Sequence, residues 1–130
     1  MVVEDNEDDL YLTERTLAKQ GIKSIFNAAD GRSAINYLLG EGAFSNRTLH
    51  PLPDVILLDL KLPEISGHQV LEWINAQPEL SSCLVCILSS SDETRDRARA
   101  TQAKAAGYFV KPLTEKNVQD LIGLSAESEA

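Results

Sequence analysis

Four short apolar runs each stop at a chemically active polar side chain, and this repetition constrains the fold more than any other feature of the chain. Val2-Val3 leads into Glu4-Asp5, Val55-Ile56-Leu57-Leu58 into Asp59, Leu84 to Leu88 into Ser89, and Tyr108 to Val110 into Lys111. Segments with helical apolar spacing separate the runs, and strand and helix signals that alternate in this way argue for a parallel sheet covered by helices on both faces. The C-terminal ends of parallel strands share one edge, where sites form. Three carboxylates, a hydroxyl and an ammonium would then converge at that edge.

The expected strands are Val2 to Glu4, Ile22 to Ala28, Val55 to Asp59, Leu84 to Ser89 and Tyr108 to Val110. The first helix is expected from Glu7 to Gln20, with acids in its first turn where the helix dipole favours them and Gly21 as its stop. Its apolar stripe, Leu10, Thr13 and Leu17, is weak. Ser33 to Leu39 places Ala34, Ile35, Leu38 and Leu39 on one face, and Gly67 to Gln77 turns Val70, Leu71 and Ile74 inward before Pro78. Glu115 to Leu124 presents Val118, Leu121 and Ile122. The fourth helix, Asp92 to Ala106, has only alanines to bury, so it should be the least firmly packed. Gly40 to Pro53 is a loop well beyond the ~2–6 residues usual between such elements. The architecture is α/β: a doubly wound, five-stranded parallel sheet with five helices in three layers.

A length of 130 residues suits one domain, expected over 1–124 with a frayed tail over 125–130. The net charge of −8 opposes nucleic-acid backbones and anionic membranes and favours basic partner surfaces. No apolar stretch nears the ~20 residues that span a bilayer, and the start of the chain lacks a signal-peptide pattern, so the chain reads as cytoplasmic. Cys83 and Cys86 lie in an apolar run whose extended backbone holds them ~10 Å apart. A disulfide needs less than about 7 Å, so both are expected as buried free thiols. His50 and His68 have no ligand-like spacing with them and are expected at the surface.

Glu4, Asp5 and Asp59 offer hard oxygen ligands for a cation such as Mg²⁺, which commonly binds one or two carboxylates and keeps room for phosphate oxygens. A carboxylate can also be a nucleophile that accepts a phosphoryl group. Phosphoryl transfer is catalysed by positioning and by neutralising charge on the equatorial oxygens, which Lys111 and Ser89 can help to do. Taken singly, each group has an ordinary reading: a helix cap, first-turn charge, a Lys-Pro loop. Together those readings would need four coincidences at four strand ends.

The segments Val-Val-Glu-Asp-Asn at 2–6, Asp-Val-Ile-Leu-Leu-Asp-Leu-Lys-Leu-Pro at 54–63 with Gly67 beyond, Ile-Leu-Ser-Ser-Ser at 87–91 and Gly-Tyr-Phe-Val-Lys-Pro at 107–112 resemble a CheY-like response-regulator receiver domain of two-component signalling. The resemblance covers essentially the whole chain and implies a flavodoxin-like strand order 2-1-3-4-5. It implies that Asp59 accepts phosphate from a sensor histidine kinase or phosphotransfer protein. Asp5, Asp59 and the Lys61 backbone carbonyl would ligate Mg²⁺, or Mn²⁺ in its place, with Glu4 acting through water. Ser89 would be the switch hydroxyl, Tyr108 the aromatic that follows it, and Lys111 the contact to the phosphoryl oxygens. The Lys111–Pro112 bond would be cis, a form rare outside X-Pro bonds. Lys61 and Ser91 match positions that tune dephosphorylation. Phosphorylation would repack the face made by the fourth helix, fifth strand and fifth helix.

Two departures stand out. Receivers usually begin several residues before the first acid pair, which implies residues upstream of Met1. The Gly-Glu-Gly-Ala-Phe-Ser-Asn-Arg stretch at 40–47 is similar to that of stand-alone receivers paired with phytochrome-type kinases. The resemblance leaves open a homodimer, a receiver cut from a hybrid kinase, and an interaction module that works without phosphorylation. A haloacid-dehalogenase-like phosphatase would want an acid where Lys61 stands, and no phosphate-cradling glycine loop is present for nucleotide binding.

Overall fold

The computed structural model describes residues 1–90 and 93–129. Strands β1 (Val2–Val3), β2 (Asn27–Ala28), β3 (Val55–Leu58), β4 (Leu84–Ser89) and β5 (Gly107–Val110) pair in parallel in the order β2-β1-β3-β4-β5. They alternate with α1 (Glu7–Lys19), α2 (Gly31–Leu39), α3 (Gly67–Asn75), α4 (Thr94–Gln102) and α5 (Glu115–Glu129).

The alternation of side chains along each strand divides the core in two. Ile56, Leu58, Val85 and Ile87 pack with Ala34 and Leu38 of α2, Val70, Leu71 and Ile74 of α3, and Ala100 of α4. Leu57, Cys86 and Leu88 face the other way, onto Leu17 of α1 and Val118 and Leu121 of α5. The sheet is therefore doubly wound, with α2, α3 and α4 on one face and α1 and α5 on the other.

Several boundaries differ from expectation for traceable reasons. The run from Ile22 to Ala28 pairs only at Asn27–Ala28, because β1 offers it only Val2 and Val3 as partners. Helix α4 ends at Gln102 rather than Ala106, and Lys104 turns left-handed at φ 63° just beyond. Its expected start at Asp92 lies outside the described residues, as does Ser91. Helix α5 continues past Leu124 to Glu129, and Ile122 lies on its exposed side. On α2, Leu39 is exposed and Tyr37 is buried instead, its hydroxyl donating to the Pro51 carbonyl at 2.8 Å.

The long α2–β3 connection is anchored by one side chain. The Arg47 guanidinium donates to the carbonyls of Tyr37 (2.9 Å), His50 (3.1 Å) and Leu38 (2.7 Å), and so ties the connection to the last turn of α2. Phe26, Tyr37, Phe44 and His50 pack ring against ring beside it. Cys83 and Cys86 are both buried free thiols, and burial pushes the Cys86 thiol up to about 11. A cavity of about 620 Å³ lies at the opposite, N-terminal edge of the sheet, lined by Leu17, Phe26, Leu52, Val55 and Leu121 among others. It contains none of the strand-end polar residues.

Candidate functional site

Strand register brings the polar groups to one level. Val3 pairs with Leu58, so Glu4 and Asp59 are the next residues along neighbouring strands, and the Asp59 amide donates to the Val3 carbonyl at 3.1 Å. Ser89 pairs with Val110 across β4 and β5, and the Lys111 amide donates to the Ser89 carbonyl at 2.8 Å. The Lys111–Pro112 bond is cis. Behind Asp59, Gly67 opens α3 where no side chain fits: a Cβ there would collide with the Asp59 carbonyl oxygen and stand 2.6 Å from the Leu60 Cα. The helix start is fixed by a capping box between Ser66 and Gln69.

Glu4, Asp5 and Asp59 each turn a carboxylate oxygen to a common point, with those atoms all within 4.8 Å of one another. Glu4 and Asp59 are almost wholly buried, at 3% and 6% exposure, whereas Asp5 opens to solvent. Burial raises the Glu4 carboxyl to about 7, with the Lys111 hydrogen bond opposing and the neighbouring Asp59 adding to the rise. Packing acids this closely suits a divalent cation, since three carboxylate oxygens, one of them on an exposed residue, lie within reach of one ion.

The ammonium of Lys111 forms an ion pair with Glu4 and contacts Asp59 and Asp9 at 3.0 Å each. Desolvation alone would lower its pKa, but the hydrogen bonds to Glu4, Asp9 and Asp59 win and hold it raised, so the side chain is a fixed positive charge. The Lys61 amide donates to the other Asp59 oxygen at 3.1 Å. Asp9 was not singled out in the sequence, because an acid in the first turn of a helix is ordinary. Its spacing of one helical turn after Asp5 was the available signal. A buried strand-end carboxylate beside a lysine and two further acids presents the kinds of group that phosphoryl chemistry uses.

Comparison with known proteins decides the family. The model of the response regulator receiver domain matches residues 1–123. The chain belongs to the response-regulator receiver family. It is 32% identical over 121 residues to the probable methanogenesis regulatory protein FilR2 of Methanothrix harundinacea (strain 6Ac), covering 92% of this chain and 75% of that protein. It is 30% identical over 122 residues to response regulator Rcp1 of Synechocystis sp. (strain ATCC 27184 / PCC 6803 / Kazusa), covering 93% and 79%. The structure of the bacteriophytochrome response regulator AtBRR superposes with a TM-score of 0.82 at 34% identity over 96% of this chain and 89% of that one. A Mn²⁺-bound form of Rcp1 superposes with a TM-score of 0.74 at 29% identity, over 98% and 88%. Receivers are signalling domains of two-component systems, and the strand order found here is theirs.

Within this receiver the remaining residues fall on the α4-β5 side. Ser89 is fully buried at the end of β4. Tyr108 is half-buried on β5, with the Arg97 guanidinium 4.6 Å above its ring. Helix α4 buries only Ala100 among its nine residues, and polar contacts join it and the residue after it to α3. Arg99 lies 3.5 Å from Glu72, and the Asn75 amide donates to the Ala103 carbonyl. His68 lies 3.5 Å from Asp96. His68 is buried, at 6% exposure, contrary to the surface position expected for it. The covering group is α4, which comes from a distant stretch of chain. His50 is partly exposed in the ring cluster. Among the described residues no helix is long and apolar enough to cross a membrane.

Proposed function

We propose that this receiver is a cytoplasmic phosphoacceptor in which Asp59 takes a phosphoryl group from a histidine kinase or phosphotransfer protein. The observation that carries the reading is the buried Asp59 carboxylate, 3.0 Å from the Lys111 ammonium and clustered with Glu4 and Asp5. Mg²⁺, or Mn²⁺ in its place, would be held by Asp5, Asp59 and the Lys61 carbonyl, with Glu4 reached through water, and would supply positive charge for the phosphoryl oxygens. An Asp59 oxygen attacks phosphorus, a new O–P bond forms, and the bond to the donor's leaving group breaks with its electron pair. Lys111 donates to a phosphoryl oxygen, and Ser89 turns its hydroxyl to another.

That inward movement frees the space beside Tyr108, whose ring follows and repacks the α4-β5-α5 face. A helix α4 that buries one alanine is suited to such a shift. The chain promotes its own phosphorylation and dephosphorylation and turns over no separate substrate. The likeness to the bacteriophytochrome response regulator AtBRR supports a phytochrome-type kinase as the donor's source. The test is incubation with acetyl phosphate and Mg²⁺, followed by intact mass measurement of wild type and Asp59→Asn. One phosphoryl adduct on wild type is expected, absent when the cation is chelated during the incubation and absent from the variant. An unmodified wild type beside a modified control receiver would leave only an interaction module that works without phosphate.

A further inference from the structure

A fourth carboxylate reaches the site from outside the cation cage. Asp9, in the first turn of α1, places Oδ2 3.0 Å from the Lys111 ammonium, the same distance as Asp59 Oδ2. Two oxygens each 3.0 Å from one nitrogen are no more than about 6 Å apart, so Asp9 sets a negative charge close to the phosphoacceptor. Lysine has three N–H donors, and Glu4, Asp9 and Asp59 account for all of them. A phosphoryl oxygen can gain the lysine only by displacing a carboxylate.

Charge count gives the direction of the effect. With a divalent cation on Glu4, Asp5 and Asp59, those three carboxylates are balanced by the cation and Lys111, and Asp9 leaves the site with one excess negative charge. Building on the phosphoacceptor reading, we propose that Asp9 is a positioning residue that slows phosphorylation of Asp59, by holding Lys111 towards α1 and repelling the anionic donor. The resting site is thereby biased against small phosphodonors, and a partner whose basic groups cover Asp9 on docking relieves that bias.

The test is the rate of labelling by acetyl phosphate with saturating Mg²⁺, for wild type, Asp9→Asn and Asp9→Glu. The substitution leaves the helix cap in place, since Asn6 receives the backbone amide of residue 9 rather than its side chain. Even at a water-like dielectric, a charge ~6 Å away alters the rate for each unit of opposing charge about threefold. Asp9→Asn is therefore expected to label about threefold faster or more at low ionic strength, and Asp9→Glu to stay near wild type. The difference between Asp9→Asn and wild type should shrink as salt is raised, because the Asp9 side chain is 40% exposed and screened. A merely structural role would make Asp9→Asn slower and insensitive to salt. An Asp9→Asn rate equal to or below wild type, or a gain that salt does not touch, overturns the proposal while leaving Asp59 as acceptor. Absence of labelling in both wild type and Asp9→Asn, under conditions that label a control receiver, overturns both.

Discussion

Glu4 is a carboxylate that the fold makes expensive to ionise. Burial is the main reason its pKa rises from 4.5 to about 7, and Asp59 adds to it against the pull of Lys111. A group whose folded pKa lies above its unfolded one contributes stability that is complete below the unfolded value and is lost as pH rises through the folded value. For Glu4 that window runs from about pH 4.5 to 7, so the metal-free protein loses this contribution as pH rises towards neutrality. A divalent cation needs the ionised carboxylate and reverses the trend. The gain in melting temperature on adding Mg²⁺ is therefore expected to be larger at pH 8 than at pH 5.5, and Glu4→Gln should flatten the difference. Equal gains at both pH values would remove Glu4 from the cation site. The acids of this cage were legible as residues because they follow apolar runs. Asp9 was not, because its role arises only when Lys111, 102 residues away, reaches it.

At the scale of elements, the sequence marked the strands that bear the site better than the helices that cover them. β3 and β4 were readable because a continuous apolar run buried on both faces has few alternatives. The length of β2 was not readable, since pairing depends on how many residues β1 offers. The burial of His68 and of Tyr37 is not legible in the sequence for a related reason. One is covered by α4, and the other by a long connection that Arg47 ties to the end of α2. Gly67 gives the element scale its sharpest test. Its missing side chain lets α3 start directly against the Asp59 backbone. Gly67→Ala is expected to cost roughly 3 kcal/mol through overpacking against backbone that cannot give way, measured by urea unfolding. A cost within about 0.5 kcal/mol, the range of surface substitutions, would mean that α3 is free to move and does not set the position of Asp59.

For the whole molecule, the doubly wound sheet separates two tasks. Its C-terminal edge gathers charge, and the α4-β5-α5 side, proposed to respond, carries a helix α4 that buries a single alanine. Alternating apolar runs made the architecture legible, and the shallow burial of α4 was legible in its shortage of large apolar residues. The proposed phosphoacceptor function rests on one covalent bond, at Asp59. Aspartyl phosphates are reduced by borohydride to homoserine, so the protein treated with acetyl phosphate and Mg²⁺, reduced, digested and sequenced by mass spectrometry reports the acceptor directly. Homoserine at position 59, absent when the cation is chelated, is the predicted result. Homoserine at position 5 or 9 instead, or at no position while a control receiver is labelled, would contradict it.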